Sequence, residues 1–218
     1  MSTASAVQEI SDWLIGQGLS EGSYDQLLGA FCERLNQAGI VVQRSMMALR
    51  TLHPTIDARG FVWRRGTAVE IENFTTDRGP TQAFLDSPLA YLLQNRDIRE
   101  VRRPLSGPNA TFDFPVLEEL RDEGITDYFI VKVPFKVASL AGFESGMLIS
   151  WACDAPDGFT PASITALRRL APRLALVMSN RLLREVTINV LDTYVGHQAG
   201  ERILSGEISR GSLQQIDA

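Results

Sequence analysis

The chain holds two histidines and two cysteines, and these four side chains bound what metal or nucleophilic chemistry it can attempt. His53 stands before Pro54 at the end of an apolar strand-like run, where an imidazole can touch a ligand or serve as a proximal haem ligand. The plainer reading is a turn histidine bonded to backbone. His197 lies beside Gly196, far from His53 in sequence, and no cysteine or carboxylate completes a metal-ligand spacing with either. Cys153 precedes Asp154 and would be a thiol nucleophile only with a base beside it. No nucleophile-elbow or protease context surrounds it, so a buried strand cysteine is expected, and Cys32 falls inside a helical pattern. Phosphate-loop, dinucleotide and zinc patterns are missing, and Gly60, Gly66 and Gly79 read as isolated turn glycines. The chain by itself is not expected to be an enzyme.

These residues sit in a chain of ordinary globular composition, with 218 residues, 44% hydrophobic and 22% charged. A formal charge of −5 leaves no basic surplus for a phosphate backbone, so nucleic acid is not an expected partner. Arg64-Arg65 and Arg102-Arg103 read as solvated charges at strand edges. No apolar run reaches membrane-spanning length and no basic leader opens the sequence, which predicts a cytoplasmic protein with no membrane partner.

Periodicity supplies the elements. Apolar residues at Val7, Ile10, Trp13 and Leu14 mark one helix, and Leu27, Leu28, Phe31 and Leu35, between Ser23 and Gly39, mark a second over 24–37. Strands follow at 40–52, 60–65 and 68–74, with Arg64 to Thr67 as a hairpin turn. Residues 81–95 predict a helix broken at Ser87-Pro88, with Asp86 and Asp113 as capping residues of the helices they precede. A charged edge strand at 98–105 and a helix over 114–123 lead to two nearly continuous apolar runs, 127–137 and 146–153, which predict adjacent central strands.

Thr160-Pro161 then opens a pattern without glycine to Tyr194, roughly 50 Å of helix at 1.5 Å per residue, with Pro172 as an expected kink. Its apolar stripe includes Leu174, Met178, Leu182, Val186, Val190 and Tyr194. One small domain cannot cover so long a stripe, so those six residues are expected to pair with a second copy as a coiled-coil homodimer. The divisions read from sequence are 1–39 for the N-terminal helices, 40–159 for the core, 160–194 for the dimerisation helix and 195–218 for a linker.

Helices, then an antiparallel sheet with helices between its strands, then a long exit helix: this α+β order resembles a GAF domain, a small-molecule sensing module related to PAS. The segment Leu191-Asp-Thr-Tyr-Val-Gly-His-Gln-Ala-Gly-Glu-Arg-Ile-Leu-Ser-Gly-Glu-Ile-Ser-Arg-Gly211 resembles the linker before the catalytic domain of bacterial class III adenylate cyclases, with Ser212 to Ala218 as the step into the first catalytic strand. Leu52-His53-Pro54, Gly60-Phe-Val-Trp63, Asp86-Ser-Pro88, Asp113-Phe-Pro115, Gly124-Ile-Thr-Asp-Tyr128, Trp151 and Gly158-Phe159 resemble the sensor region of such cyclases.

The resemblance implies a regulatory sensor whose catalytic domain lies beyond this sequence; that domain, not this chain, would need ATP and Mg or Mn. It also implies a pocket for an unidentified small molecule, with His53, Trp63, Arg64, Phe84, Tyr91, Arg103, Asp127, Tyr128 and Trp151 as candidate ligand contacts. Haem and flavin are not expected. A kinase, phosphodiesterase or transcription activator as output stays open, as does a plain dimerisation scaffold or a small enzyme centred on Cys153 or His53.

Overall fold

A computed structural model describes residues 3–50, 56–75, 79–135 and 146–194, together with Gly196, Arg202 and Gly206. Two helices, α1 (Thr3–Gly18) and α2 (Tyr24–Gln37), precede the strands β1 (Arg44–Arg50), β2 (Ile56–Arg64) and β3 (Glu70–Thr75). Short helices α3 (Gln82–Leu85) and α4 (Pro88–Gln94) lead to β4 (Glu100–Pro104), α5 (Pro115–Asp122), β5 (Asp127–Pro134), β6 (Gly146–Cys153) and the long α6 (Pro161–Tyr194). The six strands form one sheet in the order β3-β2-β1-β6-β5-β4, with every neighbouring pair antiparallel. This is the α+β class the sequence predicts, an antiparallel sheet flanked by helices and followed by a long C-terminal helix. Residues up to Ser179 form one compact unit, and those from Asn180 onward a second.

Alternation along the strands sorts side chains onto two faces. Met47, Leu49, Phe61, Trp63, Phe129, Ile149 and Trp151 join the buried residues of α1, α2 and α6 in the larger core. Ile130, Tyr128, Leu148, Ala152 and Val101 meet Leu92 of α4 and Leu117 and Leu120 of α5 in a smaller one. β5 and β6 therefore carry cores on both faces, which is why their apolar runs are nearly unbroken. Each fully buried Leu or Phe contributes about 1.5–3 kcal/mol to this packing.

Local signals hold at most boundaries. The hairpin after β2 turns at Gly66, whose φ of +83° suits glycine, and Thr160 accepts the Ser163 N–H at 3.0 Å to cap α6. Two capping expectations fail. Ser87, not Asp86, caps α4 by accepting from the Ala90 N–H at 3.2 Å, and Asp113 pairs with Arg103 while Phe114 occupies the cap of α5 without a side-chain bond. The arginine pairs are exposed as expected but also partnered: Arg65, 42% exposed, forks onto Asp154 at 2.9 and 3.2 Å, and Arg102, 37% exposed, onto the buried Asp127.

The stripe on α6 divides differently from its expected role. Leu174 and Met178 are fully buried in the chain's own larger core, so they have no surface to offer a second copy. Leu182 is also buried, and Val186 is half-buried. Exposed instead are Leu176 at 70%, Leu183 at 44% and Ile188 at 42%. Pro172 lies inside α6, which runs without interruption from Pro161 to Tyr194. The side chains of Val190 and Tyr194, the Leu52-His53-Pro54 element, His197 and most of the 195–218 linker lie outside the described residues. Among the described residues, no helix is long and apolar enough to cross a membrane.

Candidate functional site

Strand register builds the site. Arg44 on β1 stands opposite Arg64 on β2 and Ala152 on β6; Ala152 stands opposite Tyr128 on β5, and Tyr128 opposite Arg103 on β4. Directly opposed residues share a face, so Arg64, Arg44, Ala152, Tyr128 and Arg103 form one rung across five strands, on the face that carries the smaller core. Ala152 and Tyr128 are buried in that smaller core, and Arg44 is half-buried beside them.

Two of the three arginines are neutralised within the chain. Arg64 pairs with Glu70 at 3.2 Å, and Arg103 forks onto Asp113, with its closest approach 2.6 Å, while its guanidinium lies 5.9 Å from the Phe114 ring centre. Tyr91 meets the same ring edge-on at 5.7 Å. Arg44 makes no hydrogen bond or ion pair with any described residue, and its Nε is buried without a partner. Burial, with Arg64 adding to it, lowers the Arg44 pKa from its ordinary value, while Tyr128, Glu123 and Glu72 lie close enough to oppose that shift.

Tyr128 is 3% exposed, and the Ser150 side chain lies close enough to oppose, in small part, the effect of that burial on its phenol. Burial pushes its phenol up to about 12 from an ordinary 10, so at neutral pH it remains a hydrogen-bond donor. A folded value above the unfolded one means that stability is intact below pH 10 and falls as pH rises between the two values. The loss should reach about 2–3 kcal/mol near pH 12. Absorbance at 295 nm should therefore show one phenol ionising late and together with unfolding; complete ionisation by pH 11 with the fold intact would contradict its burial.

Of the expected contacts, Arg64, Tyr91, Arg103 and Tyr128 come to this face. Trp63 and Trp151 do not: both are in the larger core on the opposite face, where Trp151 stacks on Phe129 with centroids 6.0 Å apart. Asp127 is a structural residue. It is 1% exposed, accepts from Arg102 Nη2 at 2.6 Å and from the Phe159 N–H at 2.9 Å, and so ties β4, β5 and the approach to α6 together. Phe84 sits half-buried in α3, and His53 falls outside the described residues. Cys153 is 1% exposed and burial raises its thiol pKa, which removes the thiolate a nucleophile requires. Arg44 and Ser150 are absent from the sequence-derived candidates. Arg44's only sequence signal is a charge at the start of an apolar strand, and Ser150's a hydroxyl inside one.

A separate cleft of about 290 Å³ lies between the start of α2 and strands β2 and β3, lined by Tyr24, Asp25, Arg59, Phe61, Ile71 and Asn73 among others. None of the expected contacts lines it. Among the described residues no three His, Cys, Asp or Glu side chains converge as a metal site.

No protein-family model matches the sequence, and no curated protein matches it. Solved structures do. The GAF domain of a two-component sensor histidine kinase from Bacillus halodurans superposes with a TM-score of 0.48 at 15% identity, over 75% of this chain and 98% of that one. The phycoerythrobilin-bound GAF domain of a cyanobacterial phytochrome gives 0.47 at 13% identity, over 85% of this chain and 98% of that one. The LBD domain of VqsR from Pseudomonas aeruginosa gives 0.41 at 16% identity, over 80% and 95% respectively. With identity this low and superposition this partial, neither a ligand nor an output passes from these proteins to the chain.

Proposed function

We propose that the chain is a regulatory region, a small-molecule sensor and dimerisation unit whose output is a class III adenylate cyclase domain. The observation that carries this reading is the division of α6. Its early turns are anchored in the sheet's larger core through Leu170, Leu174 and Met178, while Leu176 and, seven residues further along the sequence, Leu183 each present bare leucine surface. A helix anchored at one end and apolar on its outer side is suited to pair with a second copy. The linker resemblance at 191–211 supports the choice of output over a kinase or a transcription activator.

The sensing surface in this reading is the Arg44–Tyr128 rung, which lies on the face opposite α6. Strands β1, β5 and β6 belong to both faces, so a ligand that repacks Arg44 or Tyr128 acts on the sheet that α6 lies against. A few kcal/mol of differential affinity between two helix packings suffices to switch a dimeric enzyme. ATP and its metal ion belong to the catalytic domain in this scheme.

The test joins the chain to a class III catalytic domain too weakly associated to be active alone. Cyclic AMP formation should rise about tenfold or more over the bare domain, the equivalent of about 1.4 kcal/mol of coupling. A rate equal to that of the bare domain would overturn the proposed output.

A further inference from the structure

The geometry points to Arg44 as the recognition residue for the carboxylate group of a small organic acid, bound on the sheet face that carries α4 and α5. This assigns a ligand class to the sensing surface and rests on the sensor reading for its purpose, not for its chemistry.

Three other guanidinium groups of this protein share one way of meeting a carboxylate. Arg102 on Asp127, Arg103 on Asp113 and Arg168 on Glu100 each engage a carboxylate side-on through Nε and Nη2, with closest approaches of 2.6 Å. Arg44 has the same Nε edge, and among the described residues no carboxylate meets it. A buried donor left unmade is costly, and a side-on carboxylate is the acceptor whose two oxygens match that edge.

Charge then narrows the class. Glu70 and Asp113 neutralise Arg64 and Arg103, leaving Arg44 as the rung's single uncompensated cation, with Glu72 and Glu123 in electrostatic reach. One positive charge overlooked by two carboxylates favours a monoanion over a phosphate dianion or a polyphosphate.

Arg44 as a whole is half-buried, but its Nε is shut off from water. A carboxylate that gains the Nε bond must therefore shift the Arg44 side chain or what covers it. That movement is what gives a ligand different affinities for two arrangements of the sheet face.

The experiment follows the arginine Nε–H resonances of the ¹⁵N-labelled chain by NMR while sodium acetate, sodium benzoate and, separately, sodium phosphate are added at constant ionic strength. The Arg44 resonance, assigned by its loss in Arg44→Lys, should move saturably with a carboxylate and stay still with phosphate. Arg44→Met should weaken carboxylate binding at least about tenfold by calorimetry. If Arg44→Met does not fold, the wild-type titration alone decides. Arg44 resonances unmoved by either carboxylate, or moved equally by phosphate, would overturn the assignment. Saturable carboxylate binding by a chain that fails to raise cyclic AMP formation would leave the site standing and remove the cyclase reading.

Discussion

Replacing Asp127 with alanine should cost the folded chain about 3 kcal/mol and lower its melting temperature by about 10 °C. The carboxylate accepts two bonds from Arg102 and one from the Phe159 N–H, and Arg102 in turn donates to the Phe159 carbonyl at 2.7 Å. Removing it leaves a guanidinium and a buried amide without their acceptor in one step. Because Arg102 is 37% exposed, water recovers part of its loss, which places the effect at the lower end for a broken buried pair. Gly158 reinforces the arrangement: its φ is +67°, and a Cβ there would stand 2.8 Å from Asp127. Asp127→Asn keeps an oxygen for the Phe159 N–H and should cost about half as much in a thermal melt. Equal melting temperatures for wild type and Asp127→Ala would show that the residue does not hold β4, β5 and the approach to α6 together.

Asp127 also shows where sequence reasoning ends. Its place at the start of a strong strand marks it as a strand-end polar group, but only register reveals that Arg102, and not Arg103, points to its side of the sheet. The same parity separates Tyr128 from Trp151 and Trp63, which aromatic content alone groups as one pocket lining. Where the information is local, the sequence carries it well. The bounds of α2 follow from Ser23 and Gly39, and the break between α3 and α4 follows from Ser87-Pro88. Where two local partners compete, it does not: Asp113 is a good capping residue in sequence, yet the ion pair with Arg103 claims it and draws its pKa below the ordinary carboxylate value. Arg44 was illegible for a related reason, since its lack of a partner among the described residues is visible only once those residues are placed.

The stripe on α6 carries the other large effect and the proposed mechanism with it. Periodicity marks Leu174, Met178 and Leu182 as apolar but cannot say whether the chain's own core or a second copy covers them; the first two belong to the chain's own core. In the proposed pairing the exposed Leu176 and Leu183 take that role, with the half-buried Val186 three residues further along. In a two-fold contact each substitution is felt twice. Leu176→Asp and Leu183→Asp should each weaken self-association about a hundredfold or more, about 2.7 kcal/mol, without lowering the melting temperature of the protomer. Leu174→Asp should do the opposite and unfold the chain by burying an unpaired charge. The decisive measurement is sedimentation velocity of the wild-type chain beside Leu183→Asp at micromolar concentration. A wild-type dimer of 24.1 kDa protomers that becomes a folded monomer on substitution is the predicted result. A wild-type monomer, or a dimer indifferent to Leu183→Asp, would contradict the paired-helix account.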